Sequence, residues 1–116
     1  MFQSLDSVII YVHDIEKSKM FFQKQLGFTL DRDEGNYVVF KVNPKDSTSL
    51  AINLSSSSGG TPGKQTIVLS ASDIDKTYQQ LKVQKVNVLV ELQNKSWGKT
   101  FTFTDTDGNK IEVIEI

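Results

Sequence analysis

The stretches DIEKS at 14–18 and DIDKT at 73–77 decide how this chain is read. Asp14 and Ile15 recur as Asp73 and Ile74, and Glu16, Lys17 and Ser18 meet Asp75, Lys76 and Thr77, a displacement of 59 residues (14 to 73). The same displacement pairs Ser7 with Thr66, Val8 with Ile67 and Phe22 with Leu81. Further on, Leu50-Ala51-Ile52 meets Ile111-Glu112-Val113 at 61 (50 to 111), the difference being absorbed by a turn. Caps and apolar stripes are common enough to coincide by chance. A register held from strand through helix points instead to a duplicated unit.

Each copy reads as a strand, a helix and three more strands. Ser7 to Val12 (SVIIYV) is β-branched, aromatic and too short for a buried helix, so it reads as a strand. Asp14 is placed to cap the helix that follows, whose inner face carries Ile15, Ser18, Phe22 and Leu26 at intervals of three and four. Gly27 stands where a left-handed residue would end it. Segments 28–33, 37–42 and 49–54 are strands, joined by the turn formers Glu34-Gly35-Asn36 and Asn43-Pro44-Lys45-Asp46. In the second copy, 66–71 is a strand. Ser72 then precedes a helix, with Asp75 three positions on, as in a capping box. Ile74, Tyr78 and Leu81 form its inner stripe, and 86–91, 99–104 and 110–116 are strands, the last two joined by Asp105-Thr106-Asp107-Gly108-Asn109. Between the copies lies SSSSGGTPGK (55–64), which has nothing to build a core and reads as a mobile connector rather than a substrate lid. The expected organisation is one domain over 1–116, with a first module to about 54, a linker at 55–64 and a second module from about 65.

Composition bounds the function. At 116 residues, 38% hydrophobic and 23% charged, the chain has the profile of one ordinary globular domain. A net charge of −1, with lysines interspersed among acids, gives no basic surface for nucleic acid or anionic lipid. The absence of cysteine removes disulfides, thiolate metal sites and cysteine nucleophiles together. No apolar run is long enough to span a bilayer and the N-terminal stretch lacks the marks of a signal peptide, so a cytoplasmic protein is expected. Phosphate-binding glycine motifs, HExxH and a Ser/His/Asp pattern are missing.

Strand alternation assigns faces. In the first strand Val8, Ile10 and Val12 oppose Ser7, Ile9 and Tyr11; in its repeat Ile67, Leu69 and Ala71 oppose Thr66, Val68 and Ser70. The fully apolar sets should lie under the helices and the hydroxyl-bearing sets should line a cavity.

Three runs of sequence resemble the glyoxalase/bleomycin-resistance (vicinal oxygen chelate) superfamily. Val12-His13-Asp14-Ile15-Glu16-Lys17-Ser18, with Phe21-Phe22 and Leu26-Gly27-Phe28, is similar to its opening motif. Ser72-Asp73-Ile74-Asp75 through Leu81 is similar to the start of its second module. Ser96-Trp97-Gly98-Lys99, with Phe103, Asp105, Asp107-Gly108-Asn109 and Ile111-Glu112, is similar to its closing motif. The resemblance covers nearly the whole chain and implies an α+β fold of two βαβββ modules with concave mixed sheets. It does not by itself choose a function, since that fold hosts isomerases, dioxygenases, thiol transferases and drug binders.

The resemblance also implies where a divalent metal would sit in the family's enzymes. Those positions fall here on Ser7, Thr66, Ala51 (or its same-face neighbour Asn53) and Glu112. Only Glu112 is a strong ligand; hydroxyls are poor partners for zinc, nickel or iron(II), and magnesium prefers more than one carboxylate. His13, the single histidine, belongs to the strand–helix junction. No cofactor or metal is therefore expected. The candidate ligand-binding set is Ser7, Tyr11, Tyr37, Ala51, Asn53, Thr66, Trp97, Phe103 and Glu112. Tyr11 and Tyr37 suit core and cavity equally, Phe40 suits the core, and Trp97 suits ligand contact. Glu112 reads either as a hydrogen-bonded structural carboxylate or as a cation anchor or general base.

The resulting expectation is a metal-free binder of a small amphipathic or cationic molecule, resembling the sequestering proteins of bleomycin resistance and working as a homodimer. The alternatives are a glyoxalase-like lyase or isomerase with Glu112 as base, and a non-catalytic dimeric interaction module. The last predicts large side chains filling the concave face, where this sequence places Ser7, Ala51 and Thr66.

Overall fold

The computed structural model describes residues 1–116 and contains the two βαβββ modules in chain order. They form two compact units, Met1–Pro62 and Gly63–Ile116.

The first unit comprises β1 (Ser7–Val12), α1 (Ile15–Met20), β2 (Thr29–Asp33), β3 (Tyr37–Lys41), β4 (Ser49–Leu54) and a short helical turn, α2 (Ser55–Ser58). Its sheet runs β1-β4-β3-β2, with β4 parallel to β1 and antiparallel to β3. The Asp14 carboxylate caps α1 by accepting the Lys17 N–H at 3.1 Å. Beyond Met20 the helix widens into a π-helical stretch, Phe21–Gln25, closed by the Leu26 N–H donating to the Phe21 carbonyl at 3.0 Å. The wider turn turns two consecutive side chains inward. Phe21 and Phe22 are both buried, edge to face at 5.2 Å, and Phe22 also meets Phe28 and Phe40 at 5.8 and 6.0 Å. Gly27 is left-handed, as the helix ending requires.

The second unit repeats the plan: β5 (Thr66–Ala71), α3 (Ile74–Val83), β6 (Asn87–Lys95), β7 (Gly98–Thr104) and β8 (Lys110–Glu115), in the order β5-β8-β7-β6. The cap of α3 is Asp73, whose carboxylate accepts the Lys76 N–H at 3.3 Å. This corrects the expectation of Ser72 and Asp75, and Asp73 is the repeat partner of Asp14. Tyr78 of α3 packs on Phe101 of β7 at 4.9 Å, and Phe101 stacks on Phe103 at 6.1 Å. The ladders start alike as well: the Ser49 N–H donates to Asp6 and the Lys110 N–H to Gln65, both at 2.9 Å.

The segment between the modules is more structured than its composition suggests. The Ser57 and Ser58 hydroxyls donate to the Leu54 carbonyl at 3.0 Å, turning 55–58 into a helical turn that ends on left-handed Gly59. Serine hydroxyls satisfying nearby backbone are the physical reason. Gly60 then lies directly on the Tyr11 ring, where a Cβ would overlap the ring atoms.

The β7–β8 turn is a buried polar knot. One Asp105 carboxylate oxygen accepts the N–H groups of Asp107 (3.0 Å) and Asn109 (2.8 Å), and the other accepts the Asn109 amide at 2.8 Å. The Asn109 side-chain oxygen accepts the Gln65 N–H at 3.1 Å, so this turn also holds the start of β5. Burial raises the Asp105 pKa, and the donors from Asn109 and Asp107 oppose the rise. On α1, Lys19 donates to Asp33 at 2.7 Å; that bond and the Gly35 N–H lower the Asp33 pKa.

Two outcomes follow. Asn109→Ala removes a buried hydrogen bond to the Asp105 carboxylate and a partly buried one from the Gln65 N–H, and should destabilise the protein by roughly 3 kcal/mol in chemical denaturation. In a pH titration followed by carboxyl NMR, Asp105 should titrate above an ordinary aspartate and Asp33 below it. The linked signs differ. The lowered pKa of Asp33 contributes stability that is lost as pH falls through its folded value. The raised pKa of Asp105 makes its protonation favour the folded state over the same acid descent.

Candidate functional site

Paired residues on neighbouring strands share a face, so the registers state which candidate residues gather. On the face of the first sheet away from α1, Tyr11, Asn53 and Tyr37 lie side by side across β1, β4 and β3. The adjacent row is Ile9, Ala51 and Val39, followed by Arg32 on β2. Ser7 continues the line of Tyr11 and Ile9 and pairs with Ser49. Ala51 is fully buried, whereas Ser7, Tyr11, Tyr37 and Asn53 are half-buried. All five first-module candidates therefore occupy one face. Its Tyr11 end is covered by Gly60, so the chain itself straps part of it.

In the second sheet, the face away from α3 carries Glu112 between Val68 and Thr102, with Val90 beyond. Thr66 pairs with Lys110 in the neighbouring row. Glu112 is half-buried, and Val68, at 55% exposure, leaves its surroundings open. Ser7 pairs with Ser49 as Thr66 pairs with Lys110, and Ala51 pairs with Ile9 as Glu112 pairs with Val68. The repeat equivalences drawn from the sequence hold strand by strand. The same registers make Ser70, Ile114 and Thr100 the counterparts of Tyr11, Asn53 and Tyr37.

Two candidates stand elsewhere. Phe103 pairs with Ile111 on the helix-covered face and is buried against Phe101, so it belongs to the core and not to a cavity wall. Its alternation partner Thr102 holds the open-face position instead. Trp97 occupies the tip of the β6–β7 hairpin, where Lys95 pairs with Gly98, and is 59% exposed. Phe40 lies in the core against Phe22, as its position suggested. His13 is exposed at the β1–α1 junction. Arg32 escaped the sequence reading because strand alternation does not reveal the irregularity in β2 that sets its face.

Within neither unit do three histidine, aspartate or glutamate side chains gather closely enough to hold a metal ion. No helix is long and apolar enough to cross a membrane.

Comparison with known proteins adds family and fold. An uncharacterized protein of Bacillus subtilis (strain 168), YetH, is 32% identical, the match covering 94% of this chain and 95% of that protein. The crystal structure of TnmS3, described as an antibiotic binding protein from Streptomyces sp. CB03234, superposes with a TM-score of 0.85 at 25% identity, covering 98% of this chain and 96% of that one. A lactoylglutathione lyase from Agrobacterium tumefaciens shares the fold, with a TM-score of 0.82 at 17% identity over 97% and 92% of the two chains. Residues 4–113 match the family described as Glyoxalase/Bleomycin resistance protein/Dioxygenase superfamily. With two βαβββ modules in matching registers and a match across nearly its full length, the chain belongs to the glyoxalase/bleomycin resistance protein/dioxygenase superfamily.

Proposed function

We propose that this protein binds a small amphipathic organic molecule, without a resident divalent metal, on the open faces of its sheets. The observation that carries this reading is the content of four equivalent positions. Where the family's enzymes place metal ligands, this chain has a hydroxyl (Ser7), a methyl (Ala51), a second hydroxyl (Thr66) and one carboxylate (Glu112). That donor set does not fit zinc, nickel or iron(II). The face that carries Ser7 and Ala51 offers two tyrosine rings and an amide instead. Aromatic surface with a few polar groups suits a small-molecule site. The 25% identity to an antibiotic binding protein supports a sequestering role. On the open face of the second unit, Glu112 offers a carboxylate as acceptor or counter-charge to a ligand seated on that face.

A glyoxalase-like reaction with Glu112 as general base is the second reading, favoured by the retention of that one carboxylate in a half-open setting. One series of measurements separates the two. Elemental analysis of the purified protein should find no stoichiometric nickel, zinc or iron. A thermal-shift screen of aromatic antibiotics and metabolites should find compounds that raise the melting temperature. Glu112→Gln should weaken the best of them by about tenfold, on the scale of one charge-assisted hydrogen bond. A stoichiometric metal would sink the binder reading. Metal-independent turnover of a hemithioacetal, lost in Glu112→Gln, would establish the lyase instead.

The strap yields a further expectation. Gly60→Ala cannot seat its methyl against Tyr11 as the ring now lies, so the ring and residues 55–62 should separate. Hydrogen exchange should quicken in that segment and not in 105–110. Compounds that stack on Tyr11 should bind as well or better, because the covering backbone no longer competes with them.

A further inference from the structure

The edge strand β2 contains an irregularity that decides which of its side chains reaches the open face. Leu30 pairs with Phe40, but Arg32, not Asp31, pairs with Val39, and Asp33 pairs with Val38. Asp31 is thus an extra residue in a β-bulge, a device that re-aims side chains on a sheet edge. In an unbroken register Asp31 would face the same way as Val39 and Ala51, and Arg32 would face α1. The bulge exchanges them. Arg32 joins the row of Ile9, Ala51 and Val39, and Asp33 turns toward the helix, where Lys19 of α1 meets it at 2.7 Å. The Lys19–Asp33 bond holds this register, because a slip by one residue would carry Asp33 away from the helix.

The charge brought to the open face in this way meets a single acid there, Glu34 of the same edge, and none from the other three strands. Arg32 is the only arginine of the chain. Lys41, two positions along β3 from Val39, is a second cation on that face, tied to the Ser47 carbonyl at 3.4 Å. The positions contributed by β1, β3 and β4 carry Ser7, Ile9, Tyr11, Ser49, Ala51, Asn53, Tyr37 and Val39, none of them acidic. Arg32 is engaged through Nε by Glu34 at 2.6 Å, with both side chains more than half exposed. Such exposed pairs are weak and exchangeable. The terminal guanidinium nitrogens remain available for a planar anion, the geometry at which arginine excels.

We propose that Arg32 is the anion-recognising residue of this face and that the ligand part seated there is an aromatic group bearing a carboxylate. This rests on the reading of the Tyr11–Asn53–Tyr37 face as a ligand surface. The aromatic part lies along that row, and its carboxylate reaches the guanidinium at the β2 edge. Glu34 is the intramolecular competitor that an incoming carboxylate displaces.

The test uses the full chain and two matched probes, 2-naphthoate and its neutral isostere 2-naphthamide, followed by calorimetry and amide chemical shifts. At low ionic strength naphthoate should bind about tenfold tighter than naphthamide, with perturbations at Tyr11, Tyr37 and Asn53, and the preference should shrink with added salt. Arg32→Gln should abolish the preference while leaving naphthamide binding unchanged. Glu34→Gln should strengthen naphthoate binding by about threefold, a gain that misfolding cannot imitate. Equal affinity for the two probes, or a preference that survives Arg32→Gln, would overturn the assignment of Arg32 and leave the ligand face standing. Perturbation of that face by neither probe would overturn both.

Discussion

The parallel register of β1 against β4, repeated by β5 against β8, is the constraint on which the rest depends. Because β4 lies between β1 and β3, its residues set the rows across both neighbours. Leu50 and Ile52 pair with the apolar set of β1 and go under the helix; Ala51 and Asn53 pair with Ile9 and Tyr11 and go to the open side. A slip by one residue would exchange the two sets and bury Asn53 in the phenylalanine cluster. The buried phenylalanines oppose that slip, since Phe40 stands beside Leu50 on the buried face and packs against Phe22, a place that a polar neighbour would spoil.

The two modules have kept what makes them fold and diverged where they face outward. Asp14 and Asp73 cap corresponding helices through corresponding lysine N–H groups, and Asp6 and Gln65 start corresponding ladders. On the open faces Ser7 and Thr66 both keep a hydroxyl and Ile9 and Val68 stay aliphatic, but elsewhere type is lost: tyrosine meets serine, asparagine meets isoleucine, tyrosine meets threonine and alanine meets glutamate. Caps and core positions are held by obligations to nearby backbone and apolar neighbours. An open face has no such obligation, so its residues can follow a ligand.

Much of this was legible without coordinates. Local signals carried the strand series, the Asp14 cap, left-handed Gly27 and the strand faces of β1 and β5. The repeat located Ser7 with Thr66 and Ala51 with Glu112, equivalences that the registers reproduce. The misses have different causes. Phe103 was counted as a cavity candidate although 99–104 alternates threonine with phenylalanine, because an aromatic ring suits a core and a cavity wall alike. Its face is set by Tyr78 packing on Phe101. Ser72 competed with Asp73 for the cap because both residue types accept N–H donors well. The serine run looked unstructured because its order comes from hydroxyls bonding to Leu54 and from Gly60 resting on Tyr11, a residue nearly fifty positions away.

The sequence by itself determined the duplicated βαβββ plan, the family, and which residue types stand at the equivalent positions of each sheet. These rest on local periodicity, capping chemistry and an internal repeat, all of which act along the chain. Only the tertiary structure decided that Phe103 is core, that Trp97 stands exposed at a hairpin tip, that the connector straps Tyr11 and that a bulge turns Arg32 to the open face. Each depends on pairing or packing between residues distant in sequence: a strand's pleat states that neighbours alternate, but a partner strand or helix must state which side is in.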